Sequence, residues 1–101
     1  MKIIESLSME LNEEEKNMKY FYRVTEGNIL NDTVYGIEIE RHDFIDGKVV
    51  NLERDFINVV SNNKEKVEDI AKMLCSKVVS PIHLVDIVGE YSDEYVMSLS
   101  N

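Results

Sequence analysis

The feature that most constrains this chain is a single change of hydrophobic period, which falls just after Ser61. Up to that point polar and apolar residues alternate with period two, the mark of strands with one buried face. Ser6 to Asn12 alternate without a break. Lys19 to Thr25 form a run rich in aromatic and β-branched residues, as strands favour, with Tyr20, Tyr22 and Val24 on one face and Phe21, Arg23 and Thr25 on the other. A third strand is expected over Thr33 to Arg41, with Tyr35, Ile37 and Ile39 opposite Glu38 and Glu40. Extended chain resumes at Lys48 to Leu52, and Asp55 to Val60 either continues that strand or begins another. Turn signals separate these runs: Asn12 to Asn17 around Glu13, Glu14 and Glu15, then Gly27-Asn28 with Asn31-Asp32, then Asp46-Gly47. Every link is short, so an antiparallel meander is the economical topology. Gly36 inside a strand signals a bulge or a large neighbour crossing it.

After Ser61 the period becomes helical. Asn62 is a candidate N-cap, with Glu65 three residues on. Val67, Ile70, Ala71, Leu74 and Val78 then recur along one face, while Lys66, Glu68, Asp69, Lys72 and Ser76 lie away from it. A second helix is announced by Ser80 as N-cap and Pro81 in the first turn, with Val79 and Leu84 spaced as a hydrophobic staple. Its apolar residues (Ile82, Leu84, Val85, Ile87, Val88, Tyr91, Tyr95 and Val96) sweep an arc of roughly 220° at about 100° per residue. One sheet contact needs less, so the helix is either wedged between sheet and first helix or meets another protein. Gly89, which costs about 1 kcal/mol against Ala in a helix, is read as a close helix crossing. The expected fold class is therefore α+β, an antiparallel meander of about four strands followed by two C-terminal helices packed on the sheet (ββββαα). It forms one domain over residues 1–101, with strands within 1–60, helices within 62–96 and a frayed last few residues.

Composition narrows the class further. At 44% hydrophobic the chain is too apolar to be disordered, yet no apolar run reaches the roughly 20 residues of a membrane span. The start lacks a signal-peptide core, and one cysteine builds neither a disulfide framework nor a cysteine zinc site, so the expected compartment is the cytoplasm. The formal charge of −9 argues against binding nucleic acid directly, since attraction to phosphate is the sequence-independent part of that affinity. Residues 78–101 contribute four acids and no base, whereas residues 61–77 hold three acids and four bases.

Each constellation that carries chemistry has a plainer reading beside it. His83, Asp86 and Glu90 share one face of the second helix, where a nitrogen and two carboxylates are able to hold a divalent metal or move a proton. A solvated acidic stripe is the preferred reading of them, since no recognised zinc spacing accompanies them. Cys75 lies at the edge of the first helix's apolar stripe and reads as a buried structural thiol. Tyr20, Tyr22 and Tyr35 read as packing beneath the helices rather than as a base-stacking surface. The four glycines form no phosphate-binding pattern.

The block Lys66-Val67-Glu68-Asp69-Ile70, followed by Ser80-Pro81-Ile82-His83-Leu84-Val85-Asp86-Ile87-Val88-Gly89-Glu90-Tyr91, resembles a family of small proteins of unknown function from spore-forming anaerobic Gram-positive bacteria. Tyr20-Phe21-Tyr22-Arg23 and Tyr35-Gly36-Ile37-Glu38 are similar to that family's strands, and Ser-Pro-Ile-His-Leu is the most specific block. Gly89 stands where the family's pattern has an acidic residue. The resemblance implies fold and origin, and brings no activity, cofactor or catalytic residue.

The expected function is thus a non-enzymatic cytoplasmic module, without cofactor, that binds another protein or itself. The expected surface is the second helix, with Tyr91, Tyr95 and Val96 as apolar contacts and Asp86, Glu90, Asp93 and Glu94 as an acidic border facing a basic partner. A homodimer with stacked second helices is the simplest version. Two alternatives stand beside it. One is a small metal- or ligand-responsive protein or minor enzyme using His83, Asp86 and Glu90. The other is an acidic inhibitor mimicking nucleic acid, which requires the carboxylates of 10–15 and 86–94 to form one continuous face.

Overall fold

The computed structural model describes residues 2–99. Four strands lead, β1 (Lys2–Asn12), β2 (Asn17–Ile29), β3 (Asp32–Ile45) and β4 (Lys48–Ser61), followed by α1 (Lys64–Ser76), one 3-10 turn (Pro81–His83) and α2 (Leu84–Leu99). The strands form one antiparallel sheet in the order β1-β2-β3-β4, the meander that the short links imply. Both helices pack on the same face, so the molecule has two layers; the other face is uncovered along its central rungs, while Thr25 and Val34 at its upper end are buried. The core is built where they meet. Tyr20, Tyr22, Val24, Ile37 and Ile39 from the sheet close on Val67, Ile70, Ala71 and Leu74 of α1 and on Leu84 and Val88 of α2.

The strands are longer than the alternation indicates, and the reasons are local. β1 begins at Lys2, ahead of Ser6, because its register shifts between Ile3 and Glu5 and interrupts the alternation there. Gly27 and Asn28 continue β2, and the chain reverses instead at Leu30-Asn31, where Leu30 takes φ 55°. Asp46 and Gly47 turn with φ 52° and 77°, the primed geometry of a two-residue hairpin. Asp55 to Val60 continues β4 as one strand. Tyr35 pairs with Ser61 and Ile37 with Ile57, so three β4 residues stand against Gly36 alone. This is the bulge that the glycine signals, and a Cβ at Gly36 would lie 2.3 Å from the Ile57 carbonyl oxygen.

The helix boundaries also move. Asn63 rather than Asn62 caps α1, its Oδ1 accepting the Lys66 N–H at 3.1 Å. The helix closes with Val79 N–H on the Leu74 carbonyl and Val78 N–H on that of Cys75, while Val78 adopts φ 50°. A β-branched residue is costly there. The turn is pinned from outside by the buried Tyr22 hydroxyl, which donates to the Val79 carbonyl at 2.9 Å. Ser80 makes no side-chain cap; its hydroxyl lies 3.4 Å from the Arg41 guanidinium on β3 instead. Val79 and Leu84 are both buried, as a staple requires. Gly89 meets only Val85 of its own helix, so no second helix crosses it closely. The expected fraying of the last few residues falls partly outside the described residues.

Candidate functional site

The alternation that buries Tyr20, Tyr22, Ile37 and Ile39 beneath the helices turns the intervening residues to the uncovered face. There Phe21 of β2 meets His42 of β3 edge to face at 5.3 Å, and His42 lies 6.2 Å from Phe44. Phe56 and Leu52 of β4 extend the patch to the sheet edge, 47% and 54% exposed. The Arg23 guanidinium sits 4.9 Å and the Lys19 ammonium 5.3 Å from the centre of the Phe21 ring, and Arg54 lies 5.5 Å from that of Phe56.

Carboxylates tie these cations down. Arg23 is 2.7 Å from Glu38 and 3.5 Å from Glu40, Arg54 is 3.6 Å from Glu38, and Lys19 is 3.9 Å from Glu10. His42 Nε2 is 2.7 Å from Glu40. Its hydrogen bond, joined by the nearby Arg23 charge, holds the Glu40 carboxyl below the ordinary range against the opposing effect of burial. The face is therefore an aromatic and aliphatic patch set in a lattice of matched charge. It offers contact area without an unpaired ion. Sequence reasoning placed Phe21, Arg23, Glu38 and Glu40 on this face but attached no role to them. The missed signal is the same period two, continued from Lys19 through Arg23 and from Glu38 to Phe44, once the helices have claimed the tyrosine face.

A second ionic cluster lies near the hairpin end of the sheet, on the helix side. Asp43, 1% exposed, faces Arg41 Nε at 3.1 Å, Lys16 at 3.6 Å and the Asn51 amide at 3.1 Å, and Arg41 reaches on to Glu53 at 2.9 Å. Burial pushes the Asp43 carboxyl up, but the Asn51 hydrogen bond and the Arg41 and Lys16 charges outweigh it and the net shift is downward. A carboxylate held charged and surrounded by partners ties β3, β4 and the first hairpin together; it is poorly suited to pass protons.

The residues expected on the second helix separate into two groups. Tyr95 is buried, its hydroxyl donating to Asp32 at 2.7 Å, so it anchors α2 to β3 rather than meeting a partner. Tyr91 is half-buried, with Lys66 of α1 5.6 Å from its ring centre; Lys66 also lies 4.0 Å from Glu94. Val96, 54% exposed, faces outwards with Ile82 and Val85, and Asp86, Glu90, Asp93 and Glu94 are exposed. The wide apolar arc is thus not wedged between layers. Only Leu84, Val88, Tyr95 and part of Tyr91 face inwards. Between α1 and α2 lies a shallow groove of about 480 Å³, lined by Ile70, Met73 and Tyr91 and rimmed by Glu65 and Asp69. His83 is exposed, and among the described residues no three His, Cys, Asp or Glu side chains converge to hold a metal ion. Cys75 is half-buried and burial raises its thiol pKa, which disfavours the reactive thiolate. Glu10 to Glu15 lie on β1 and its hairpin, at the opposite sheet edge from β4, on which α2 packs. The two acidic groups therefore do not form the single face that mimicry of nucleic acid requires.

A two-layer α+β fold, a four-stranded antiparallel meander with both helices on one face, defines the class. Within it, the chain belongs to a family of unknown function, DUF6514, whose family model matches residues 1–94. No curated protein and no solved structure matches the chain. No helix among the described residues is long and apolar enough to cross a membrane.

Proposed function

We propose that the protein is a non-enzymatic cytoplasmic module that works by binding another protein, and that the bare face of the sheet is its docking surface. One observation carries this reading: Phe21, His42, Phe44, Phe56 and Leu52 line up across three strands with no layer above them. Soluble domains seldom leave several aromatic and aliphatic side chains grouped on one open face unless something binds it. The bacterial origin implied by the sequence resemblance belongs to the same proposal.

The exposed side of α2 supports a second reading. Val85 and Val96 stand beside Asp86, Glu90, Asp93 and Glu94, a surface suited to a basic partner. Affinity capture from the native cells separates the two. Tagged wild type is compared with a Phe21→Ala/Phe56→Ala pair and a Val85→Ala/Val96→Ala pair, each checked for folding by circular dichroism. Loss of the captured protein only in the first pair supports the sheet face. Loss only in the second moves the docking surface to α2, and capture unchanged in both overturns the two readings together.

A further inference from the structure

We infer that the partner for the bare sheet face is a second copy of this chain, docked sheet to sheet about a two-fold axis. The inference rests on reading that face as the docking surface and names what covers it.

Charge is the first argument. The chain carries −9 overall, so two copies repel each other over most of their surface. The central rungs of the bare face are the exception: Lys19, Arg23 and Arg54 stand against Glu10, Glu38 and Glu40, a formal charge of zero. Packed on its own copy, the exposed stripe of α2 would set Asp86, Glu90, Asp93 and Glu94 against the same four acids.

Pairing is the second argument. Arg23, Arg54, Lys19 and His42 each already hold a carboxylate of the same chain within 4 Å. Covering the face therefore strands no charge, which is the large penalty in burying ions. The same pairing leaves no free cation for phosphate, so the face does not suit nucleic acid. A neutral face whose charges are matched within each copy does not repel its own copy, which an isologous contact requires.

Area is the third. Four strands about 4.8 Å apart and the roughly seven residues of each that lie below the buried Thr25 and Val34, at about 3.3 Å rise, give roughly 440 Å² of open face per copy. Two copies bury about 900 Å², the size of a weak, reversible interface. Aligned sheets stacked about 10 Å apart would interdigitate Phe21, Phe44 and Phe56 of each copy with the side chains on the facing sheet of the other.

Sedimentation equilibrium tests this across a broad concentration range at low and high salt. The expected result is a monomer–dimer equilibrium that tightens as salt screens the acidic surfaces outside the contact. Phe56→Glu and Arg54→Glu, at exposed positions where folding is spared, should each weaken it at least about tenfold, a loss of roughly 1.4 kcal/mol. Val85→Glu on α2 should leave it unchanged. A monomer at every concentration and salt overturns the inference, as does a dimer indifferent to both face variants. Should the protein stay monomeric while Phe21→Ala/Phe56→Ala still abolishes capture of a different protein, the copy is wrong and the docking face survives.

Discussion

Tyr22 shows at the scale of one residue how the two layers are locked. Its ring fills the core and its buried hydroxyl donates to a carbonyl 57 positions along the chain, at the left-handed turn that ends α1. Burial raises the phenol pKa well above its ordinary value, so the hydroxyl stays a donor throughout the working pH range. Tyr22→Phe keeps the ring and strips the Val79 carbonyl of its partner, at an expected cost of about 1–3 kcal/mol. In a domain this size that is a fall in Tm of about 4–8 °C per kcal/mol, measured by thermal melting. An unchanged Tm would mean that the turn holds without the clamp. The sequence reveals that Tyr22 faces the helices, because period two shows faces. It does not reveal the Val79 carbonyl, because a long-range partner leaves no local pattern. Tyr95 was hidden for the same reason: the wide arc of α2 contains both an inner and an outer side, and only Asp32, far away in sequence, selects the inner one.

At the scale of elements, two glycines with similar sequence signals have opposite structural roles. Gly36 sits where the β4 bulge brings main chain against β3, and a Cβ there would meet backbone atoms at 2.3 to 2.7 Å. Backbone cannot swing aside as a side chain does, so Gly36→Ala should unpair the upper end of β3 and β4 and lose several kcal/mol, of the size of severe overpacking. Gly89 is in ordinary contact with Val85 alone, so Gly89→Ala should gain about 1 kcal/mol of helix propensity. Urea unfolding of the two variants should move the midpoint in opposite directions; a shared direction would show that one site is misjudged. Strand and helix order, the meander and the tyrosine face were all legible, since each rests on periodicity or a turn pair. Register shifts at Ile3/Glu5 and Asp43/Phe44 were not, because a bulge erases the alternation that would announce it.

For the whole molecule, titration sets the stability profile. Glu5 has its carboxyl pKa raised, first by a hydrogen bond with Glu68 of α1 and then by burial. Asp43 and Glu40 have theirs lowered. The signs work out differently. Glu5 penalises the folded state at neutral pH, and the penalty lifts as the pH falls through its raised pKa. Asp43 and Glu40 stabilise the fold above the ordinary carboxylate range of about 4, and that stabilisation is lost as the pH falls through their lowered values. Stability should therefore rise from pH 7 into mildly acid solution before it collapses. Glu5→Gln should raise Tm at pH 7 and flatten the rise, whereas a wild-type profile that falls steadily from pH 7 would contradict the assignment. The meander has a further consequence, for the order of assembly. Each strand pairs with the one made just before it, so the sheet is able to form hairpin by hairpin as the chain leaves the ribosome. Its tyrosine face then waits, unroofed and prone to aggregate, until the last forty residues emerge to cover it.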